Sequence, residues 1–427
     1  MVKGYMSSQH KATNGLKLLL KDTDQFSQVQ AAWRFLNNEN VSTDALFEPI
    51  WDTLTKEIEL QCSKFVLAMT DWSHVDYKHH DSKKELISEN RKENGVKKGL
   101  DLQTTLAVSD VAGEPIAPIA HNLKTSKKFY STYNDAIKLG TTHLEELALR
   151  AEWIASNLQT EKKIVHIVDR ESDSVAFMRD LSKIDALFVL RVKNNSKLYL
   201  PKEKVDIKQG ELADKLPLGK KVQKMKYRKK NVTIYVNECE VEVRRDATKF
   251  ITQKDGKKKL QKTSGETIKA RFVVERLVDE NQKIVAEWLL VTNILDESVT
   301  AETLATWYYY RWKIESYFKL LKSSGFNMEE WQQREPSALF RRLLVVSFSC
   351  VLVWKIANDT SANAKKIREF LVSLSGRLVQ KDKEFTHPAL LAGLENYIQM
   401  LDLMSMFSME ELLDMKQELV KIMGMDI

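Results

Sequence analysis

The chain has 427 residues, 43% hydrophobic and 29% charged, with a formal net charge of +7, a globular composition with material for two or three domains. Cys62, Cys239 and Cys350 form no CxxC pair or short-spaced group, which argues against a disulfide framework or structural zinc site and fits a reducing cytoplasm. The positive balance permits a nucleic-acid partner, and it is concentrated: residues 201–270 hold 20 Lys/Arg against 10 Asp/Glu, a local +10 that leaves −3 elsewhere. Such concentration is an electrostatic footprint for phosphate.

The N-terminal MVKGYMSSQHK has no apolar signal core. The segment QVQAAWRFLNNENVSTDAL predicts a helix ending near Asn37–Asn40 and a second capped at Ser42 or Thr43. KFVLAM (64–69) is an apolar run of strand length, followed by Thr70-Asp71-Trp72-Ser73. Residues 101–120 read as two strands around an Asp-Val-Ala-Gly turn. Leu144, Leu147, Ala151, Ile154 and Leu158 mark an amphipathic helix. IVHIV (164–168) is a buried-type strand ending at Asp169, SVAFMRDLSK is helical and ALFVLRVK (186–193) is a strand. This order predicts a mixed α/β sheet with helices on its faces. Lysine-rich residues 200–285 read as a β insertion, EWLLVTN (287–293) resumes the sheet, and a helix is expected from about Ala301 to Leu321. After Pro336 the chain reads as helical. Its most apolar run, the 12 residues Leu343–Trp354, is shorter than the ~20 that span a membrane and reads as a buried helix. Ser408 and Glu411 have capping-box spacing. A soluble intracellular protein is expected.

On a helical wheel Tyr308, Arg311, Glu315 and Lys322 fall in one stripe about 60° wide, beside an apolar stripe of Trp307, Ile314, Phe318 and Leu321. The spacing alone fits a solvated face with an Arg311–Glu315 pair. Asp71 and Asp169, however, each follow an apolar strand, and ligand sites of α/β sheets gather at that edge. Each aspartate alone also fits a turn or cap. If the strands are neighbours, the aspartates converge, and a helix on the sheet can bring Glu315 to them. Grouped carboxylates suit Mg2+, and two such ions about 3.5–4 Å apart clamp the oxygens of a phosphodiester displacement.

Tyr308-x2-Arg311-x3-Glu315-x6-Lys322 resembles the YREK signature of the bacterial DDE transposases, the cut-and-paste insertion-sequence group that forms DNA hairpins. TDWS at Asp71, VDRESD at Asp169, AAWRFLNNENVS (31–42), FVLRVK and EWLLVTN align with that family in order, over residues 20 to about 350. The resemblance implies an α/β fold: a ribonuclease-H-like mixed-sheet core (63–199 and 286–360) with a lysine-rich β insertion (200–285). It also implies an N-terminal helical DNA-binding region (1–62) and a C-terminal helical region (361–427) suited to dimerisation. Asp71, Asp169 and Glu315 become the catalytic ligands of Mg2+, with Mn2+ as the alternative. Tyr308, Arg311 and Lys322 grip the DNA backbone, with Arg191 and Lys193 as further phosphate contacts. Trp288 stacks on a base flipped out as the end closes, a contact worth about 1–3 kcal/mol; without the family it reads as a core tryptophan.

The expected partners are terminal inverted repeats and target DNA, with a homodimer in the DNA complex and a bacterial, nucleoid-associated location. A DNA-binding inhibitor of transposition and a metal-dependent nuclease without strand transfer are the alternatives. The family's further basic segment ahead of residues 10–20 has no counterpart, so the N-terminal region is expected to be shortened. His79-His80 read as a polar loop, Asp76, Asp81 and Asp173 as supporting residues near the site, and Trp312 as support for Trp288 or as packing.

Overall fold

The computed structural model describes residues 25–91, 95–134, 136–228, 230–252, 258–381 and 383–423. The shortened recognition segment expected near residues 10–20 lies outside them. The chain forms two compact units, one of Met1–Ile50, His74–Leu100 and Tyr317–Ile427, the other of Trp51–Ser73 and Asp101–Ser316.

The second unit holds most of a large mixed sheet. Its strands are β1 (Phe65–Asp76), β3 (Gly95–Ser109), β4 (Pro115–Lys124), β5 (Phe129–Ser131), β6 (Lys163–Val168), β7 (Leu187–Arg191), β8 (Lys197–Leu200), β9 (Val205–Lys208), β10 (Lys220–Tyr227), β11 (Lys230–Val243), β14 (Ile268–Asp279) and β15 (Ile284–Thr292). The order is β5-β4-β3-β1-β6-β7-β15-β14-β11-β8-β9, with β10 on β11. β1, β6 and β7 are parallel. Phe65–Thr70 and Val165–Val168 are buried on both faces, which explains why they read as unbroken apolar runs rather than alternating ones.

Helix α3 (His143–Asn157) starts at a capping box in which Thr142 and Glu145 satisfy each other's backbone N–H. Leu147 and Ala151 of α3 join Phe177, Met178 and Leu181 of α4 (Val175–Lys183) in a core with Phe188, Phe272, Val274, Leu289 and Val291 of the sheet. Two expectations change here. β1 does not end before Asp71 but continues to Asp76, although its ladder with β6 stops at Thr70 opposite Val168. Asp71 is thus the first residue past the parallel pairing. Strands β11 and β14 of the lysine-rich region, paired over twelve residues, continue the same sheet through β15 and β7. Among the described residues, β12 (Ala247–Thr252) and β13 (Lys258–Thr263) form a separate two-stranded sheet.

The first unit contains α1 (Gln25–Asn37), the start of α2 (Thr43–Gln61), β2 (Ile87–Arg91), α8 (Pro336–Asn358), α9 (Ala364–Ser375), α10 (His387–Met406) and α11 (Met409–Met423). The Ser42 hydroxyl accepts from the N–H groups of Asp44 and Ala45, starting α2 as expected. Helix α8 is long and apolar enough to cross a membrane, and it is the buried helix of this unit. Its Arg341 is held on the carbonyls of Leu36 and Val41, and its Ser347 hydroxyl bonds Tyr317 OH at 2.7 Å. A Cβ at Gly393 would strike the Leu371 carbonyl, so the α9–α10 contact requires glycine there. Ser408 and Glu411 make both bonds of the expected capping box.

Candidate active site

The continuous helix expected over residues 301–321 is broken. Helix α6 spans Ala301–Tyr310 and α7 spans Trp312–Lys319, with Arg311 between them. At this joint Arg311 N–H bonds Tyr308 O, and Ile314 N–H bonds Arg311 O, each three residues back rather than four. The helix therefore tightens where its guanidinium turns toward the sheet.

There Arg311 meets three carboxylates. Its Nη1 donates to Asp71 Oδ2 at 3.1 Å, and its Nη2 donates to Glu315 Oε1 at 2.8 Å. The same Nη2 lies 3.9 Å from Asp169 Oδ2. Asp169 directly follows β6, where its carboxylate caps the turn Arg170–Ser172 through Arg170 N–H. It also accepts from Tyr308 OH at 3.0 Å and from Arg191 Nη1 at 3.2 Å. Arg311 is only 5% exposed, whereas Asp71, Asp169 and Glu315 are 22%, 37% and 40% exposed, so the acids face solvent with the cation behind them.

The electrostatics follow. Burial pushes the Asp71 carboxyl up to about 6; its bond from Trp72 N–H and the nearby Arg311 oppose this, and the Glu315 and Asp169 charges add to it. Burial also raises Asp169, but Arg311, Arg170 N–H, Arg191 and Tyr308 OH together hold it below the usual carboxylate range. Burial and the Asp169 charge raise the Tyr308 hydroxyl, which stays protonated as a donor.

Asp71, Asp169, Glu315, Tyr308, Arg311 and Arg191 are thus in one place. The Lys193 side chain is exposed, and its backbone N–H bonds Asp173. Asp173 also takes Ser196 Oγ and Arg245 Nη2, tying down the turn after Asp169. Trp288 is 5% exposed, with Tyr308 at 5.8 Å and Tyr227 at 6.1 Å between ring centroids. Trp312 is 42% exposed, 5.4 Å from the Arg311 guanidinium carbon. Lys322 belongs to the first unit, where a π-type turn, Leu320–Ser324, replaces the expected helix; it donates to His74 O and pairs with Glu329. Asp76 and Asp81 are also in that unit, bonded to Lys78 N–H and Lys98. His80 there packs edge-on against Tyr77.

Carboxylate oxygens in excess over cations are the donor type that a hard divalent ion takes. Their spacing is another matter. Among the described residues no three His, Cys, Asp or Glu side chains converge closely enough to hold a metal, since Arg311 stands among the three acids.

A polar network behind the site escaped the sequence reading. Arg150 donates to both oxygens of Glu146 (2.9 and 2.6 Å) and to Thr105 Oγ1 (3.0 Å), and the Thr105 and Thr70 hydroxyls share a 2.8 Å bond. Asn122 and Tyr133 complete the shell of Glu146. Thr70 precedes Asp71, so the network holds the strand on which the aspartate sits. The one sequence signal was Arg150 on the apolar face of α3.

The family description "Transposase DDE domain" matches residues 137–352, a span that includes Asp169 and Glu315 and begins after Asp71. Comparison with curated proteins gives no match. A piggyBac transposase, solved by electron cryomicroscopy in a synaptic complex with hairpin DNA, aligns at 11% identity over 93% of this chain and 70% of that one, with a TM-score of 0.37. The match spans half of the sequence, and the chain belongs to the DDE transposase family.

Proposed function

We propose that this transposase cuts and joins the ends of an insertion sequence through a DNA hairpin, with Asp71, Asp169 and Glu315 as its catalytic carboxylates. The observation that carries the reading is their gathering on one guanidinium, Arg311. The strand order β4-β3-β1-β6-β7, with β1, β6 and β7 parallel, supports a ribonuclease-H-like core. Bound Mg2+, or Mn2+, would stabilise charge on the attacking and leaving oxygens of a phosphodiester. Tyr308 OH and Arg191 orient Asp169, and Arg311 and Lys322 supply phosphate contacts. On β10 and β11, Lys221, Lys224 and Lys226 pair with Tyr235, Thr233 and Asn231, and all three lysines are exposed. A row of exposed cations suits a DNA backbone. Helix α11 has no buried residue and exposes Met409, Leu413 and Leu419 on one side, an apolar face for a second copy in a dimeric complex on paired terminal repeats. The nucleoid of a bacterial cytoplasm is the matching location.

The test is Glu315→Gln assayed on terminal-repeat DNA in Mg2+ and Mn2+. Strand cleavage is expected to fall by roughly a thousandfold, the upper range for one charge-stabilising contact, with DNA affinity retained. Normal cleavage would remove Glu315 from the chemistry. Nicked products without joined products in the unsubstituted protein would reduce the activity to that of a nuclease.

A further inference from the structure

Arg311 differs from Arg150 and Arg276, two other buried arginines of its unit. Arg150 uses Nε, Nη1 and Nη2, all bonded to Glu146 or Thr105. Arg276 likewise uses all three, on Glu287 and on the carbonyls of Leu216, Pro217 and Ala213. Such guanidinium groups are locked in place. Arg311 is bonded only through Nη1 and Nη2, only to the acids of the site, while its Nε is buried without a hydrogen-bond partner. A buried donor left unmade costs free energy, and every hydrogen bond that holds the guanidinium goes to an acid of the site, with the Tyr308 and Trp312 rings beside it. The backbone at Arg311 is also the joint between α6 and α7.

We propose that Arg311 is a resident counter-ion: it satisfies the catalytic carboxylates in the free protein and withholds them from a divalent cation until a DNA phosphate draws it away. This rests on the reading of Asp71, Asp169 and Glu315 as metal ligands. The guanidinium occupies Asp71 Oδ2 and Glu315 Oε1, and its positive charge among the acids opposes a divalent cation there. A phosphate offers the guanidinium a planar, two-pronged acceptor. DNA binding and metal binding then favour each other, reciprocally. Metal is held productively only when substrate is present, which protects other DNA from cleavage by a charged enzyme.

The experiment titrates Mn2+ into DNA-free protein and follows free Mn2+ by its electron paramagnetic resonance. Unsubstituted protein, Arg311→Gln, Arg311→Lys, Asp71→Asn and the double variant Arg311→Gln/Asp71→Asn are compared. If the Arg311-withdrawn state is about one-tenth populated, the apparent affinity of the unsubstituted protein is lowered by about tenfold. Arg311→Gln is therefore expected to bind Mn2+ about tenfold or more tightly, and Asp71→Asn to abolish the gain. Arg311→Lys keeps one charge but cannot bridge the acids, so a smaller gain is expected; it remains informative if Arg311→Gln fails to fold. No gain in either variant, with Asp71→Asn alone weakening Mn2+ binding, overturns the counter-ion and leaves the metal-ligand reading standing. Mn2+ binding that Asp71→Asn leaves unchanged in every background overturns both.

Discussion

Glu275 offers a measurement free of the chemistry of the site. It lies in the middle of β14, opposite Val236 of β11 and Trp288 of β15, with no exposure and neither carboxylate oxygen bonded. Burial pushes its pKa from 4.5 to about 8, so at neutral pH it is largely protonated. The sign follows from linkage. An acid whose folded pKa exceeds its unfolded value binds more protons in the native state between the two. Stability therefore falls as pH rises from about 4.5 to about 8, and the whole penalty is present above that. A shift of that size corresponds to roughly 5 kcal/mol, at 1.36 kcal/mol per pKa unit. Glu275→Gln keeps the shape and removes only the ionisation. In urea unfolding of the full chain the two proteins are expected to match within about 1 kcal/mol at pH 5, and the variant to be several kcal/mol more stable at pH 8.5. Parallel stability curves across that range would show that Glu275 is solvated or paired, contrary to its geometry.

Two further outcomes test the surroundings of the carboxylates. Thr105→Val leaves Arg150 Nη1 and Thr70 Oγ1 without a shared partner, so thermal unfolding should show a loss of about 1–3 kcal/mol; cleavage should slow at unchanged DNA affinity, and Thr105→Ser should restore both. Trp288→Ala should lose about 3–5 kcal/mol through the cavity it opens, so Trp288→Phe is the sharper probe of the proposed base stack: nicking spared and hairpin formation slowed, with equal loss of both products assigning Trp288 to packing alone.

The elements were legible where local chemistry decides them. The apolar runs ending near Asp71 and Asp169, the caps at Ser42 and Ser408 and the amphipathic face of α3 all depend on neighbours close in sequence. What the wheel could not show was the partner of each side chain. It paired Arg311 with Glu315 on a solvated helix face; the pair is present, but the guanidinium is buried and also meets Asp71 of β1 and Asp169 just after β6, far away in sequence. The end of β1 was misplaced for a similar reason: pairing, not composition, carries it to Asp76. In FVVERLV, Val273, Glu275 and Leu277 alternate with Phe272, Val274 and Arg276, so each face carries one charge and neither declares itself the solvent side. Both faces are buried, and only the pairing of β14 between β11 and β15 reveals it.

Successive residues of a strand point to opposite faces, and the turnover from Thr70 to Asp71 puts different requirements on the two. On the Thr70 side, a neutralised Arg150–Glu146 pair and two hydroxyls hold the strand through bonds that leave no guanidinium nitrogen idle. Nothing there gains by moving, since any displacement strands a buried charge. On the Asp71 side, three acids share Arg311, whose Nε remains unpartnered. Burial, with the Glu315 and Asp169 charges added to it, makes Asp71 hard to ionise, whereas Arg311, Arg170 N–H, Arg191 and Tyr308 together keep Asp169 ionised. One face is arranged to stay and the other to exchange its cation. A single β-strand separates them, so the carboxylate can change partners while its backbone stays in register.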